Sequence, residues 1–168
     1  MSTAYEGKAS VDVEYERIPP HDDAYAEEAW DVKERIREDE GYLQQTYDFF
    51  HESYENNTDH LFLEEEEVVA FSVVRNDGYL LFLGVEPEHR GEGLGRALVE
   101  EIEGDHSKVS CHTRESNENA LEFYRHLGFE KNREVRSYYR NGETAYFLVH
   151  DTGESLRKKI SGVIRQED

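Results

Sequence analysis

The segment from Val85 to Glu101, "VEPEHRGEGLGRALVEE", combines three glycines with two arginines where a predicted helix begins. The first N–H groups of a helix have no partner within it, and the helix dipole favours negative charge beside them. Glycines let the backbone approach phosphate oxygens because no Cβ stands in the way. The segment therefore predicts a site for a phosphate-bearing ligand.

The spacing of these glycines excludes the two commonest nucleotide sites. A dinucleotide fingerprint, Gly-x-Gly-x-x-Gly, would need a third glycine at Arg96 when it starts at Gly91, or at Leu98 when it starts at Gly93. A nucleoside-triphosphate loop ends in Gly-Lys-Ser/Thr, which the segment lacks. The ligand must therefore be another phosphate compound.

A second motif, "NENALEFYRHLGF", follows at Asn117 and has helical periodicity with Tyr124 on its apolar face. It resembles the signature Asn-x-x-Ala-x-x-Phe/Leu-Tyr-x-x-x-Gly-Phe of the GNAT superfamily of N-acetyltransferases. The earlier Arg90-x-x-Gly-x-Gly resembles the pyrophosphate loop of the same superfamily. The layout over about residues 10–150 is similar to the branch that acetylates the N-terminal alanine of ribosomal proteins.

This resemblance implies acetyl-CoA as the acyl donor, with CoA as product and no metal. Backbone N–H groups of the glycine-rich loop would hold the pyrophosphate, and the edge of the strand Leu81–Val85 would line the pantetheine arm. The residues that the resemblance assigns to acetyl-CoA are Leu83, Gly84, Val85, Arg90, Gly91, Glu92, Gly93, Leu94, Gly95, Arg96, Asn117 and Tyr124.

The implied reaction is attack of a neutral amine on the thioester of acetyl-CoA. Tyr124 would protonate the departing sulfur, a role that suits a phenol because it stays protonated at neutral pH. Backbone around Leu83 and Val85 would polarise the carbonyl. The alternative for Tyr124 is a core aromatic, since it lies on the apolar stripe.

The general base departs from the family pattern. Some members carry a glutamate on the strand before the loop, but the sequence near Tyr79 is not acidic. In the ribosomal-protein branch a glutamate lies on the next strand, and that place falls at His112, whose ordinary pKa suits proton transfer. The alternatives are a strand histidine with a structural partner, or a water relay.

The acceptor is expected to be a primary amine, most simply the N-terminus of a protein or peptide. By the resemblance, Tyr138 and Tyr139 in the closing hairpin shape the peptide groove; the alternative is ordinary cross-strand aromatics. Two other functions stay open, namely acetylation of a small amine (a polyamine, amino acid or aminoglycoside) and a non-catalytic acyl-CoA-binding regulator.

Hydrophobic periodicity predicts the elements that must position these residues. Apolar alternation over Val11–Ile18 indicates a strand, and helical spacing indicates helices from about Asp23 to Arg37 and over a second stretch. Three short apolar runs form a meander before the glycine-rich loop. The remainder is helix, strand, helix and a hairpin around Asn141-Gly142. The second helical stretch carries apolar residues at helical spacing, namely Leu43, Tyr47, Phe50 and Tyr54.

The order β-α-α-β-β-β-α-β-α-β-β predicts a mixed α/β domain. The resemblance implies the GNAT acyl-CoA N-acyltransferase fold, with a single, mostly antiparallel sheet, a V-shaped splay and helices on both faces. Residues 1–168 are expected to form one domain with a core over about 10–150. An apolar stripe in a C-terminal helix at about 153–166 suggests a homodimer. The stripe consists of Leu156, Ile160, Val163 and Ile164.

The 168-residue chain carries 39 acidic and 19 basic side chains, a formal net charge of −20. This charge argues against nucleic acid as a partner, because phosphate binding needs a basic surface. The acid is spread along the whole sequence. This composition resembles proteins of salt-accumulating archaea and favours a cytoplasm of high salt over one basic partner.

Two further features bound the setting. The chain has no apolar run of membrane-spanning length and no signal-peptide core in "MSTAYEGKAS", which favours a cytoplasmic protein that does not bind a membrane. Cys111 is the only cysteine and lies in a predicted strand, where a buried, inert thiol is expected. The eight histidines show no metal-ligand spacing.

Overall fold

A computed structural model describes residues 3–4 and 12–153. The chain divides into two compact units, Met1–Asn76 with Leu80–Ile102, and Asp77–Tyr79 with Glu103–Asp168. The predicted C-terminal helix and its apolar stripe lie outside the described residues, so the homodimer stays a prediction. No helix in the described ranges is long and apolar enough to cross a membrane.

The first unit contains a five-stranded antiparallel sheet in the order β1-β2-β3-β4-β5. The predicted meander is confirmed, since β3, β4 and β5 follow one another along the chain and in the sheet. The strands are β1 (Thr3–Ala4), β2 (Glu14–Ile18), β3 (Thr58–Glu64), β4 (Glu67–Val74) and β5 (Leu80–Val85).

Helices α1 (Ala26–Glu40) and α2 (Tyr47–Asn56) precede this meander. The prediction for α2 was wrong at its start, because Leu43 has a left-handed backbone (φ 59°) and lies before the helix. The helix begins instead at Tyr47, and the side chain of its N-cap, Thr46, accepts a hydrogen bond from the Phe49 N–H at 3.3 Å. A threonine cap of this kind satisfies a donor that the helix itself leaves unpaired.

Helices cover both faces of the first sheet, as predicted. Alternation along the strands sends Leu61 and Phe71 toward α1 and α2, where they pack with Phe50. Phe62 and its neighbours turn to the opposite face, where helix α3 (Leu94–Asp105) packs. The sheet is therefore buried on both sides, which explains why β3 and β4 read as almost continuous apolar runs.

The second unit has a three-stranded antiparallel sheet in the order β6-β8-β7, together with helix α4. The strands thus form two sheets, and the prediction of a single sheet was wrong. A meander fixes the order of the first sheet, but the sequence does not say where pairing stops. The elements are β6 (Lys108–Arg114), α4 (Glu118–His126), β7 (Glu130–Val135) and β8 (Ala145–Asp151).

The closing hairpin is confirmed, but its turn is longer than the sequence predicts. The strands end at Val135 and resume at Ala145, so the connection is the loop 136–144 rather than a tight turn at Asn141-Gly142. Tyr138 and Tyr139 consequently lie in this loop and not in cross-strand positions. From the loop, the Tyr138 ring stacks on His112 and the Tyr139 ring contacts Arg114.

Asp59 is a fully buried carboxyl group on β3. Neither of its oxygens has a hydrogen-bond partner among the described residues. Burial, with a smaller contribution from the charge of Asp22, raises the pKa of Asp59 to about 10. The side chain is therefore protonated at neutral pH, and the first unit carries a neutral carboxylic acid in its core.

This carboxyl group makes stability fall as pH rises. Since the folded pKa lies above the unfolded value of 3.8, the stabilising contribution is complete in acid and is lost toward pH 10. The free energy of unfolding should fall by about 1.4 kcal/mol per pH unit in between. We expect Asp59→Asn to remove this slope, measured as the urea midpoint from pH 5.5 to 8.5.

The matched control for Asp59→Asn is Asp31→Asn, which makes the same Asp-to-Asn exchange at an exposed carboxylate on α1. Asp31→Asn should retain the wild-type slope. An Asp59→Asn protein with the wild-type slope would show that the Asp59 carboxyl does not take up a proton on folding.

Candidate active site

The glycine-rich loop of the first unit leads into α3 in the way that an anion site requires. A 3₁₀ helix at Pro87–His89 is followed by Gly91 and Gly93, whose backbones are left-handed (φ 80° and 85°). The first helical hydrogen bond runs from the Ala97 N–H to the Gly93 carbonyl at 3.0 Å. The preceding N–H groups at the start of α3 therefore have no partner within the helix.

The charged side chains of this loop are engaged with one another and with α1. The Arg90 guanidinium contacts Glu40 and lies 3.5 Å from Asp39. Glu92 lies 2.9 Å from the His89 Nδ1 atom. These contacts engage the side chains of Arg90 and Glu92 within the first unit, and the role of the loop in cofactor binding stays a prediction.

Three other residues predicted to contact the cofactor lie in the first turn of α3 and differ in how exposed they are. Arg96 is exposed and forms an ion pair with Glu100 at 3.1 Å on the surface of α3. Leu94 is almost fully buried in the core under α3, so only its backbone remains available. Gly95 lies between them in the first turn of the helix.

Strand β5 lies at one end of the first sheet, where β4 is its only partner in the sheet order. Leu83 and Val85 are half-buried, which leaves this edge suited to main-chain hydrogen bonds with an extended ligand. Gly84 has a packing role. A Cβ on it would lie 2.7 Å from the Phe71 ring and 2.8 Å from the Ile36 side chain.

In the second unit, Gly78 allows the chain to pass very close to β6. Its φ is +84°, and a Cβ would lie 2.1 Å from the Lys108 carbonyl oxygen. The Gly78 carbonyl accepts a hydrogen bond from the Ser110 N–H at 3.1 Å, and Tyr79 forms a parallel bridge with Ser110. This approach fixes Tyr79 beside the middle of β6.

The result is a hydrogen bond between the Tyr79 hydroxyl and Nδ1 of His112, 2.6 Å long. Burial, and then hydrogen bonding with Tyr138, raises the pKa of Tyr79 above its ordinary value. The Tyr79 hydroxyl is thus protonated at neutral pH, and it can donate to Nδ1 of His112 when that atom carries no proton. The sequence shows no carboxylate near Tyr79, where some members of the family carry a glutamate. A tyrosine at this position can itself take part in proton transfer.

His112 lies on the half-buried face of β6 and is surrounded by aromatic rings. The Tyr138 ring stacks on the imidazole at 4.4 Å with an 8° angle between the planes, and Phe147 lies at 4.9 Å. Burial, and then the charge of Arg133, lowers the pKa of His112. The imidazole is therefore neutral at pH 7 and able to accept a proton.

Tyr124 lies on α4 and is nearly fully buried between Phe123 and Phe129. Its hydroxyl hydrogen-bonds with Cys111, and burial raises its pKa well above the ordinary value. The Cys111 thiol is buried as predicted, and burial raises its pKa to about 12. The sequence does not predict this hydrogen bond between Cys111 and Tyr124.

Asn117 and Tyr139 also belong to the second unit. The Asn117 side chain caps α4 by accepting from the Ala120 N–H at 3.2 Å, so its amide nitrogen is the part left to donate to a ligand. Tyr139 lies under the Arg114 guanidinium, 3.8 Å from the ring centre, and burial raises its pKa to about 12.

The second unit therefore gathers four residues that the sequence predicts for catalysis and acceptor binding, namely His112, Tyr124, Tyr138 and Tyr139. It adds Tyr79 and Cys111 to them. The predicted loop and strand contacts belong to the first unit. Among the described residues, no group of three or more His, Cys, Asp or Glu side chains is arranged to hold a metal ion.

Comparisons with known proteins bear on the family and the fold of the chain. Residues 22–129 match the acetyltransferase (GNAT) family. N-alpha-acetyltransferase 30 of Xenopus laevis is 36% identical over 76 residues, covering 42% of this chain and 28% of that protein. N-alpha-acetyltransferase RimI of Mycobacterium tuberculosis is 37% identical over 76 residues, covering 43% and 48%. The matches thus span less than half the length of these two relatives.

Solved structures share the fold. The ribosomal-protein-S18-alanine N-acetyltransferase of Escherichia coli superposes with a TM-score of 0.67 at 22% identity, over 80% of this chain and 92% of that one. NAA60 of Arabidopsis thaliana, in complex with a bisubstrate analogue, gives a TM-score of 0.62 at 19% identity, over 81% and 97%. The expected fold is therefore confirmed.

The left-handed backbone at Gly91 gives a test of the loop. A Cβ there meets nothing within 4 Å, so Gly91→Ala adds only backbone strain, about 1 kcal/mol. We expect CoA to bind about fivefold more weakly, measured by isothermal titration calorimetry. Gly104→Ala, also in open space but without a left-handed backbone, is the control and should bind as wild type. Equal affinity of both variants would argue against this loop as the CoA site.

Proposed function

Because the chain belongs to the acetyltransferase (GNAT) family, we propose that it transfers the acetyl group of acetyl-CoA to the N-terminal amine of a protein or peptide. The observation that carries the proposal is the hydrogen bond from Tyr79 to His112 beneath the exposed ring of Tyr138. The names of the relatives support the acceptor, since both quoted relatives are N-alpha-acetyltransferases.

Acetyl-CoA enters this proposal as a co-substrate. Backbone N–H groups from Gly91 to Arg96 hold its pyrophosphate at the start of α3, where the dipole favours anions. The edge of β5 takes the pantetheine arm, and backbone at Leu83 and Val85 polarises the thioester carbonyl. These assignments rest on the loop conformation and on the family.

The acceptor amine must lose a proton before it attacks, because an N-terminal amine with a pKa of about 7.7–8.0 is largely protonated at pH 7. The Tyr79 oxygen accepts this proton, directly or through water, while its own proton passes to Nδ1 of His112. The lowered pKa of His112 keeps the imidazole neutral and ready for this transfer.

The amine nitrogen then bonds to the thioester carbon, and the carbon–sulfur bond breaks. The departing thiolate takes a proton from the Tyr124 hydroxyl, which solvent later restores. The buried Tyr124 is always protonated at neutral pH, and its contact with Cys111 orients the hydroxyl. The reaction releases CoA and the acetylated N-terminus.

We also propose a high-salt cytoplasm as the setting, supported by the net charge of −20 and its spread along the chain. Assays therefore belong in molar KCl. Small amines are the competing acceptors, and a panel of peptides with alanine or serine N-termini beside polyamines and amino acids separates the two possibilities.

Replacing the proposed acid gives the first test of the chemistry. Tyr124→Phe should lower kcat for peptide acetylation by about 100-fold, because a positioned acid contributes at least that much. Release of CoA thiol from acetyl-CoA is the measurement, and CoA binding is the control, which should persist. Undiminished kcat would remove Tyr124 from the reaction, and turnover only on small amines would contradict the acceptor.

The pH dependence of kcat/KM tests the proposed base. Activity requires neutral His112, so it should rise with pH through a pKa below the ordinary histidine value. His112→Gln should abolish this limb, and Tyr79→Phe should lower kcat/KM while preserving CoA binding. A His112→Gln enzyme with the wild-type pH profile would place the base elsewhere.

A further inference from the structure

The loop 136–144 places Tyr138 over His112 without burying it. Tyr138 is 45% exposed, yet its ring lies almost parallel to the imidazole. Ser137 before it has a left-handed backbone (φ 52°), an unfavourable conformation for a residue with a Cβ. Neither burial nor relaxed backbone therefore explains why this ring is stacked. The Tyr138 hydroxyl hydrogen-bonds with Tyr79, and the loop that carries Tyr138 must be held by further contacts.

Arg114 makes contacts that hold the loop. Its guanidinium lies over the Tyr139 ring at 3.8 Å, and its Nη1 donates to Glu143 at 3.0 Å and toward Asn141 at 3.4 Å. The Arg114 side chain is only 15% exposed, so these charged contacts are partly shielded from water. One side chain thus reaches three positions of the loop.

The loop residues that Arg114 contacts are also hydrogen-bonded among themselves and to the backbone at Ser116. Glu143 also accepts a hydrogen bond from the Ser116 N–H at 3.1 Å, and its own N–H donates to Asn141 at 3.0 Å. Tyr139 in turn packs edge-on against Tyr138, with ring centres 5.0 Å apart. A continuous set of contacts therefore joins Arg114 to the ring on His112.

Arg114 and His112 lie on the same face of β6, two residues apart, so one strand carries both the imidazole and the anchor of the ring above it. We propose that Arg114 is a positioning residue, which holds the loop 136–144 so that Tyr138 stays stacked on His112 and completes the acceptor site. This inference rests on the proposed function, because it assigns the site an acceptor. Arg114 itself touches neither reacting group.

The geometry requires arginine rather than any cation. A planar guanidinium stacks on a ring and donates in its own plane at the same time, whereas an ammonium group is a point charge that does not stack in this way. Arg114→Lys retains the charge opposite Glu143 and loses the planar contact with Tyr139. Arg114→Gln loses both.

Two measurements test the role of Arg114, and the first needs no turnover. NMR titration of His112, assigned by the signal missing in His112→Gln, follows the imidazole directly. The groups that face it are Tyr79, Tyr138, Phe147 and the charge of Arg133. In Arg114→Gln the ring should leave, water should reach the imidazole, and the pKa of His112 should rise toward its ordinary value.

The second measurement is the split between kcat and KM. Arg114→Gln should raise the KM for the acceptor peptide about tenfold through the lost positioning, with the KM for acetyl-CoA unchanged. The Tyr79–His112 hydrogen bond is set by backbone near Gly78, so kcat should fall much less. Arg114→Lys should show most of the same loss.

The matched control is Arg125→Gln, which removes an arginine–glutamate pair from the exposed surface of α4, where the side chains are 68% and 56% exposed. It should match wild type in both measurements. If Arg114→Gln fails to fold, Arg114→Lys carries the test.

An unchanged His112 titration and an unchanged acceptor KM in the Arg114 variants would overturn the positioning role. The titration also separates the two proposals. If the wild-type protein acetylates no peptide while Arg114→Gln still raises the pKa of His112, the proposed function fails and the role of Arg114 over His112 stands.

Discussion

The hydrogen bond between Tyr79 and His112 depends on a backbone approach that only one residue type permits. The chain at Gly78 passes so near the Lys108 carbonyl that any Cβ would overlap it, and this passage aligns Tyr79 with the middle of β6. Sheet pairing then fixes the distance between the phenol and the imidazole more firmly than side-chain packing alone would. The Tyr138 ring stacks on the same imidazole, and the contacts of the loop 136–144 meet this pair through Tyr138.

The second unit assembles proton-transfer groups that are neutral at working pH. Burial raises the pKa values of Tyr79 and Tyr124 and lowers that of His112, so each group is held in the state that its proposed role requires. The first unit supplies a different kind of chemistry. There, left-handed glycines and the start of α3 present backbone dipoles, and the nearby charged side chains neutralise one another.

Much of this could be predicted from the sequence, because local patterns determine it. The glycine spacing predicted the conformation at the start of α3, the helical motif placed Tyr124 on the apolar face of α4, and the family pattern pointed to His112 on a strand. Tyr79 was missed because its partner lies 33 residues away, and "NDG" indicates a turn without indicating what the turn approaches. The burial of Asp59 was likewise invisible, since no periodic pattern predicts a carboxyl group without a partner.

Tyr124 and Cys111, the contacting pair on α4 and β6, have a consequence for the lifetime of such an enzyme. A phenolate or thiolate beside a thioester is itself a nucleophile and would capture the acyl group on the protein. Burial keeps both groups un-ionised, with the thiol pKa at about 12. In the proposed reaction, the same desolvation that keeps Tyr124 protonated until sulfur departs thus also protects the protein from acylating itself.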